Sequence, residues 1–265
     1  MSGGEKEVKM SDITRILLSG CNGKMGRVIA NCVLERDDCS IVAGIDLAPA
    51  PDAAFPVVSD PSQLSIDCDV IVDFSHPSAL TGLLEYAVGK KLPLVLCTTG
   101  YSTQQVQQIH EAAAQTSVFY SGNMSLGINV LIEFAKKAAM IFGRGFDIEI
   151  IEKHHNQKLD APSGTALMIA DGIASVMEQK PQYVYDRHSY RKARSTNEIG
   201  IHSIRGGNIV GEHEVIFAGH DELFTLRHTA QSKEIFAVGA VNAALFMKNR
   251  QPGLYDMSDV LAQAE

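Results

Sequence analysis

The residues best suited to acid–base chemistry crowd into one stretch, "IEKHHNQKLDAPSGTAL", at 151–167. It holds His154, His155, Lys158 and Asp160, then Pro162, Ser163, Gly164 and Thr165. A lysine beside a histidine in a cleft can hand over a proton near neutral pH. The Pro-Ser-Gly-Thr turn opens a helix, and the unpaired N–H groups of a helix start suit a carboxylate. Two plainer readings stand beside this one: a solvated basic loop over 153–158, and an ordinary helix cap at Ser163. Zinc is disfavoured, because His154 and His155 are adjacent and neither an H-x-x-x-H pair nor a helper cysteine accompanies them.

A second group of residues points to a nucleotide. "GCNGKMG" sets Gly20, Gly23 and Gly26 in a G-x-x-G-x-x-G spacing between a strand-like run and a helix-like one. Glycines let a backbone turn tightly against a pyrophosphate, and the helix start behind them supplies N–H groups. Asp46 ends the next strand, where a carboxylate can accept hydrogen bonds from an adenosine ribose. The alternative is a glycine turn that serves close helix–sheet packing. Leu47 stands where a binder of the 2′-phosphate would place an arginine, which favours NADH. Lys24, inside the glycine loop, keeps a phosphate partner available. "CTTG" (97–100) ends another strand, so Thr98 and Thr99 either face a cofactor or make an ordinary turn. "DFS" (73–75) and "SGN" (121–123) carry the same two readings.

The elements that must position these residues follow from periodicity. Strands are expected at 15–20, 40–46, 69–75, 92–100 and 117–122, with helices at 24–35, around 77–90 and around 102–115. Near-continuously apolar strands alternating with helices imply a parallel sheet covered on both faces. After a helix over 123–142 the rhythm changes. A strand at 146–155 and a helix at 162–179 precede three runs, at 200–207, 211–219 and 222–230, that read as antiparallel strands of an α+β domain. The segment 180–198 reads as a long polar loop. A last helix, 233–249, returns to the first domain.

Composition narrows the class. The chain has 265 residues, 45% hydrophobic and 20% charged, with a net charge of −8, which argues against a general nucleic-acid surface. Five scattered cysteines without a C-x-x-C pair suggest reduced thiols in a cytoplasmic setting. No apolar run approaches the ~18–20 residues of a membrane span. Residues 1–12 are polar and are expected to form a disordered extension.

Taken together, these segments resemble the 4-hydroxy-tetrahydrodipicolinate reductase (dihydrodipicolinate reductase) family of the lysine and diaminopimelate pathway. The family pattern E-x-H-H-x-x-K-x-D-x-P-S-G-T-A matches Glu152, His154, His155, Lys158, Asp160, Pro162, Ser163, Gly164, Thr165 and Ala166. "GCNGKMGR", "VDFSHP", "TTG", "GNMSLGINV", "IRGGNIVGEHEVIF" and "GLYDMSDVL" match as well, so the resemblance spans nearly everything after residue 13. It implies a Rossmann-type doubly wound parallel sheet (13–125 and 235–265) and an α+β substrate-binding and tetramerisation domain (126–234) with a mixed or antiparallel sheet. It implies that His154 protonates the substrate carbon, that Lys158 is a second proton donor, and that His155, Gly164 and Thr165 touch a small cyclic dicarboxylate. Cofactor contacts are implied for Gly20, Cys21, Asn22, Gly23, Lys24, Met25, Asp46, Cys97, Thr98, Thr99, Ser121, Gly122, Asn123 and Met124, with NADH and also NADPH as cofactor. A homotetramer, and closure about hinges near 123–127 and 230–238, are implied too. Two positions depart from the pattern: Cys97 replaces a common glycine, and Lys233 replaces an arginine after Ser232. A different nicotinamide-dependent reductase would account for "GCNGKMG" but not for "HHNQKLDAPSGT". A non-catalytic dinucleotide sensor would need no paired proton donors.

Overall fold

The computed structural model describes residues 13–48 and 53–263; the extension expected over 1–12 lies outside them. Two compact units divide the chain, one running to Met124 and resuming at Phe236, the other Ser125–Ile235.

The first unit begins with β1 (Thr14–Ser19), α1 (Lys24–Leu34), β2 (Cys39–Ile45) and the two-residue β3 (Val57–Val58). It continues through β4 (Val70–Asp73), α2 (Leu80–Lys90), β5 (Leu94–Leu96), α3 (Thr103–Ala113) and β6 (Ser117–Tyr120). Ile16, Leu17 and Leu18 of β1 are all buried although they alternate in direction, because helices cover both faces of the sheet. Burying each such side chain is worth about 1.5–3 kcal/mol. On α1, Gly26, Ile29 and Val33 form the buried face at helical spacing.

The second unit opens with α4 (Leu126–Phe142), β7 (Asp147–His154), α5 (Gly164–Ala174) and β8 (Gln182–Val184). Three long strands follow: β9 (Glu198–Arg205), β10 (Gly211–Ala218) and β11 (Leu223–Ala230). The chain then returns to the first unit through α6 (Glu234–Met247), β12 (Gly253–Tyr255) and α7 (Met257–Ala262).

The first sheet has seven parallel strands in the order β12-β6-β5-β4-β1-β2-β3. Strand order reverses between β1 and β4, which is where open parallel sheets bind ligands, beyond the carboxyl ends of the strands. The glycine loop follows β1, Asp46 follows β2, and Asp73 ends β4.

The second sheet is mixed, in the order β11-β10-β7-β9-β8. The three runs alternate in direction as expected, but they are not three neighbouring strands. β10 pairs antiparallel with both β7 and β11, but β9 lies on the other side of β7 and runs parallel to it. The link between β9 and β10 therefore crosses β7 rather than closing a hairpin. Two boundaries also move: α4 starts at Leu126, where Ser125 caps it, and α5 stops at Ala174, short of 179.

Nor is 180–198 simply a loop. It carries β8, a three-residue parallel partner of β9 that is too short to show alternation. Two arginines tie the rest to the sheet. Arg187 donates to Glu149 and Glu198 (2.8 and 2.6 Å), and Arg194 donates to Glu149, Asp147 and the Ile148 carbonyl. Burial alone would raise the Glu149 carboxyl, but His202 and these arginines outweigh it and hold it below the usual range. The carboxylate lies across Gly200, where a Cβ would sit 1.7 Å from Glu149 Oε2.

Candidate active site

Alternation along β7 sends Ile148, Ile150, Glu152 and His154 to one buried face. The first two are ordinary core residues. The last two carry ionisable groups into the same interior, and the chemistry starts there. Glu152 is fully buried, and its carboxylate accepts four hydrogen bonds. Oε2 takes His154 Nδ1 at 2.6 Å and one Arg205 nitrogen at 2.8 Å; Oε1 takes the other Arg205 nitrogen at 2.7 Å and the Ser163 N–H at 3.1 Å. Burial pushes this carboxyl up, yet the bonds from His154 and Arg205 prevail and hold it far below its ordinary value of 4.5. A carboxylate so held can only accept, so His154 presents an Nδ1–H to Glu152 and turns Nε2 to the other side.

The neighbouring strands complete the enclosure. Sheet register puts His213 of β10 and Ser203 of β9 opposite Glu152, and Arg205 opposite His154. The His213 ring stands edge-on to the His154 ring, 5.2 Å between centroids. Burial, aided by His154, pushes His213 down to about 4, so it is neutral at neutral pH. Ser163 joins this cluster to α5. Its hydroxyl lies 3.1 Å from His213 Nε2 and accepts the Ala166 N–H, which caps the helix. The start of α5 is thus moored by one serine to two strands, through its N–H to Glu152 of β7 and through its hydroxyl to His213 of β10.

The loop between β7 and α5 carries Lys158 beside Asp160, with Nζ 2.8 Å from the carboxylate. Lys158, and with it the Gly164 N–H, keeps the Asp160 carboxyl below the usual range. Arg205 reaches the Asp160 carbonyl as well, at 2.6 Å, so the same guanidinium steadies both Glu152 and this loop. His155 is half-buried next to His154, and Leu159 is almost wholly exposed. His154, His155, Lys158, Gly164 and Thr165 therefore share one end of the second unit, around the β7 terminus and the first turn of α5. Among the described residues no three His, Cys, Asp or Glu side chains gather as a metal site would need.

The first unit has its own prepared surface. Gly20 adopts φ +76°, and a Cβ there would meet the Phe74 carbonyl oxygen at 2.5 Å. Gly26 lets α1 sit on the loop: a Cβ would be 2.2 Å from the Gly20 oxygen. No side chain caps α1 and no acid lies in its first turn. The backbone here is cradle-shaped and open to an anion, so a dinucleotide pyrophosphate fits it. Asp46 accepts the Asn22 and Leu47 N–H groups at 2.9 and 2.8 Å, one on each oxygen, which leaves lone pairs for ribose hydroxyls. Asn22 also donates to the Ala48 carbonyl, and Lys24 is exposed on the loop.

Farther along the same sheet edge, Thr98 and Thr99 part company. The Thr98 hydroxyl is buried and donates to Asp73 at 2.7 Å, whereas Thr99 is exposed. Asp73 also receives the Ser75 hydroxyl and N–H, so one carboxylate ties together the ends of β4 and β5. Cys97 is buried, and burial raises its thiol well above the ordinary value. Ser121 donates to the Asn123 carbonyl, Gly122 is exposed and Met124 is buried. Gly20 to Met25, Asp46, Cys97 to Thr99 and Ser121 to Met124 thus all lie at the carboxyl edge of the first sheet. Reading by motif gave no role to Glu152, Arg205 or His213, and left Asp73 between a cofactor contact and an ordinary turn. The signal was present for Glu152 and His213: each continues an inward alternation that is apolar elsewhere on its strand.

Comparison with known proteins agrees across both units. Residues 14–124 match the family model described as dihydrodipicolinate reductase, N-terminus, and residues 127–261 match the one described as dihydrodipicolinate reductase, C-terminus. A curated relative from Clostridium tetani, named 4-hydroxy-tetrahydrodipicolinate reductase, is 50% identical over 249 residues, 94% of this chain and 97% of its own. One of the same name from Caldanaerobacter subterraneus subsp. tengcongensis is 50% identical over 247 residues, 93% of this chain and 98% of its own. Among solved structures, a dipicolinate-bound dihydrodipicolinate reductase from Paenisporosarcina sp. TG-14 matches with a TM-score of 0.78 at 27% identity, covering 92% of this chain and 97% of that one.

Proposed function

The chain belongs to the dihydrodipicolinate reductase family, and from that membership we infer that it reduces 4-hydroxy-tetrahydrodipicolinate to tetrahydrodipicolinate, with loss of water, at the expense of a nicotinamide dinucleotide. The observation that carries this reading is the buried Glu152–His154 pair beside Lys158 at the start of α5. A dinucleotide sensor has no use for such a cluster, and neither does a plain capped loop. The decisive assay follows loss of nicotinamide absorbance with and without freshly generated substrate. Bound-cofactor fluorescence without turnover would reject the enzyme in favour of a sensor.

The first unit is the dinucleotide-binding domain in this reading, with the Gly20–Met25 loop and uncapped α1 holding the pyrophosphate and Asp46 the ribose. The remaining contacts fall to Cys97–Thr99 and Ser121–Met124. Bound there, the nicotinamide supplies hydride to C4 of the substrate ring. The second unit binds the cyclic dicarboxylate. Gly164 and Thr165 offer backbone N–H groups at a helix start, and Lys158 and His155 offer positive or polar partners for the carboxylates. Lys158 pairs with Asp160 at 2.8 Å, which holds its ammonium at the mouth of this loop. His154 delivers the proton to carbon from Nε2, and Lys158 is the second proton donor.

The cofactor preference follows from β2. Asp46 is followed by Leu47, 96% exposed, where a cation would be needed to meet a 2′-phosphate. Arg27, the other cation of the loop, turns its Nε onto the Asn22 carbonyl at 3.2 Å. NADH is therefore expected to serve at least as well as NADPH. A tenfold advantage in kcat/KM for NADPH, about 1.4 kcal/mol, would refute this account of Asp46.

Assembly is read from the second sheet. β11 is an edge strand, with Leu223 72% exposed and Phe224 partly so. An uncovered apolar edge invites pairing, and a homotetramer built through the second unit covers it. Light scattering at micromolar concentration should give four times the chain mass, and a stable monomer would exclude the assembly. We place the enzyme in the cytoplasm, in keeping with five cysteines that form no disulfide. No helix among the described residues is long and apolar enough to cross a membrane.

A further inference from the structure

We propose that Glu152, clamped by Arg205, is a positioning residue for His154, and that Gly211 keeps the working side of the His154 ring clear. The proposal rests on the reading of His154 as the proton donor.

Glu152 on β7 bonds the ring and His213 on β10 stands edge-on to it; Arg205 on β9 bonds the same Glu152 carboxylate, and Lys158, on the loop that follows β7, acts electrostatically on His213. Their roles differ. Arg205 forks onto both Glu152 oxygens, so the carboxylate can neither rotate nor take up a proton easily. Held in this way, Glu152 fixes the Nδ1–H of His154 at 2.6 Å and thereby the ring plane. When His154 transfers the proton on Nε2, that N–H bond breaks, its electron pair stays on nitrogen and a C–H bond forms on the substrate. The ring is then left in the Nδ1–H tautomer that Glu152 already holds. No ring flip or tautomer exchange separates one turnover from the next.

Gly211 closes the argument from the other side. It does not use a left-handed backbone, so conformation alone does not demand glycine. Its missing side chain matters to the ring instead: a Cβ would stand 3.2 Å from His154 Nε2 and 3.5 Å from Cδ2. That is tight enough to push the ring off the Glu152 axis. His213, neutral and edge-on, fills the remaining side without adding charge.

A purely structural ion pair between Glu152 and Arg205 would also look buried and saturated. Double-mutant cycles separate the two roles. kcat is measured for Glu152→Gln and Gly211→Ala, each in the wild-type and the His154→Ala background, beside a thermal melt of every variant. In the wild-type background Glu152→Gln should lower kcat about 10²-fold, the low end of what a positioned general acid contributes. Gly211→Ala should lower it about tenfold, because a small misplacement of a reacting group is costly. In the His154→Ala background each should cost less than about twofold, since residues that act through one group are not additive. Equal losses in both backgrounds, or no loss in the first, would overturn the proposal. If Glu152→Gln does not fold, Gly211→Ala decides alone, because it breaks no ion pair. Near-normal turnover in His154→Ala itself would instead remove the donor reading and the proposal with it. An inactive His154→Ala with additive partners removes only the positioning role.

Discussion

Alanine at His154 or at Lys158 lowers kcat by at least ~10²-fold and leaves NADH affinity nearly unchanged. General acids contribute on this scale when they are held within reach of the atom they protonate. Glu152 fixes the His154 ring, and Lys158 pairs with Asp160 on the neighbouring loop. NADH binding should be spared, because the Gly20–Met25 loop and Asp46, the contacts proposed for it, belong to the other unit. Both variants should fold. Without the imidazole, Glu152 keeps both Arg205 bonds and the Ser163 N–H, so no buried charge is stranded. Without Lys158, Asp160 is left half exposed, where water solvates it. The measurement is steady-state kinetics beside a fluorescence titration with NADH. Ordinary turnover in either variant removes that residue from the mechanism. Loss of NADH binding in step with activity would mean that the segment is structural.

Much of this site could be read without coordinates, and the reason is local. The glycine loop, the acid after β2 and the chain of chemistry from His154 to Thr165 each occupy a short run whose spacing is itself the signal. The parallel sheet was legible for a similar reason: β1, β4 and β5 are apolar on both faces because both are covered. What escaped depends on partners distant in the chain. β9 and β10 are adjacent in sequence with Gly206 and Gly207 between them, so a hairpin is the economical guess. Only pairing with β7 on either side reveals the crossover. Arg205 reads as a polar residue at the end of an exposed strand segment. Its meaning comes from register, which sets it opposite His154 and within reach of a carboxylate 53 positions away. Thr98 illustrates the converse. Its place at a strand end suggested a ligand contact, and its hydroxyl goes to Asp73, from a neighbouring strand.

The glycine loop gives the other large effect, and one residue in it separates a nucleotide cradle from mere close packing. Gly26→Ala places a Cβ 2.2 Å from the Gly20 oxygen and 2.7 Å from Cys21 Cα, all backbone atoms that cannot step aside. The loop must open, at a cost of about 1–3 kcal/mol or more, and the first unit loses the surface proposed to hold the pyrophosphate. Gly23→Ala is the gentler probe. Gly23 has φ −68°, which alanine accepts, and its Cβ would lie 3.1 Å from the Gly20 oxygen, so the neighbour needs to yield only slightly. The added methyl stands at the N-cap of α1, where a phosphate approaches. Gly89→Ala is the control: it lies inside α2 with nothing within 4 Å, and should raise stability by about 0.5–1 kcal/mol. A ligand that binds only the folded state raises the melting temperature, by the equivalent of about 2.7 kcal/mol at a hundredfold excess over Kd. Wild type and Gly89→Ala should show that rise with NADH. Gly23→Ala should melt near the wild-type temperature without ligand and gain little from NADH, and Gly26→Ala should melt early and gain nothing. If Gly23→Ala were stabilised by NADH as strongly as wild type, the loop would be a packing turn, and the dinucleotide would have to be held elsewhere on the sheet edge.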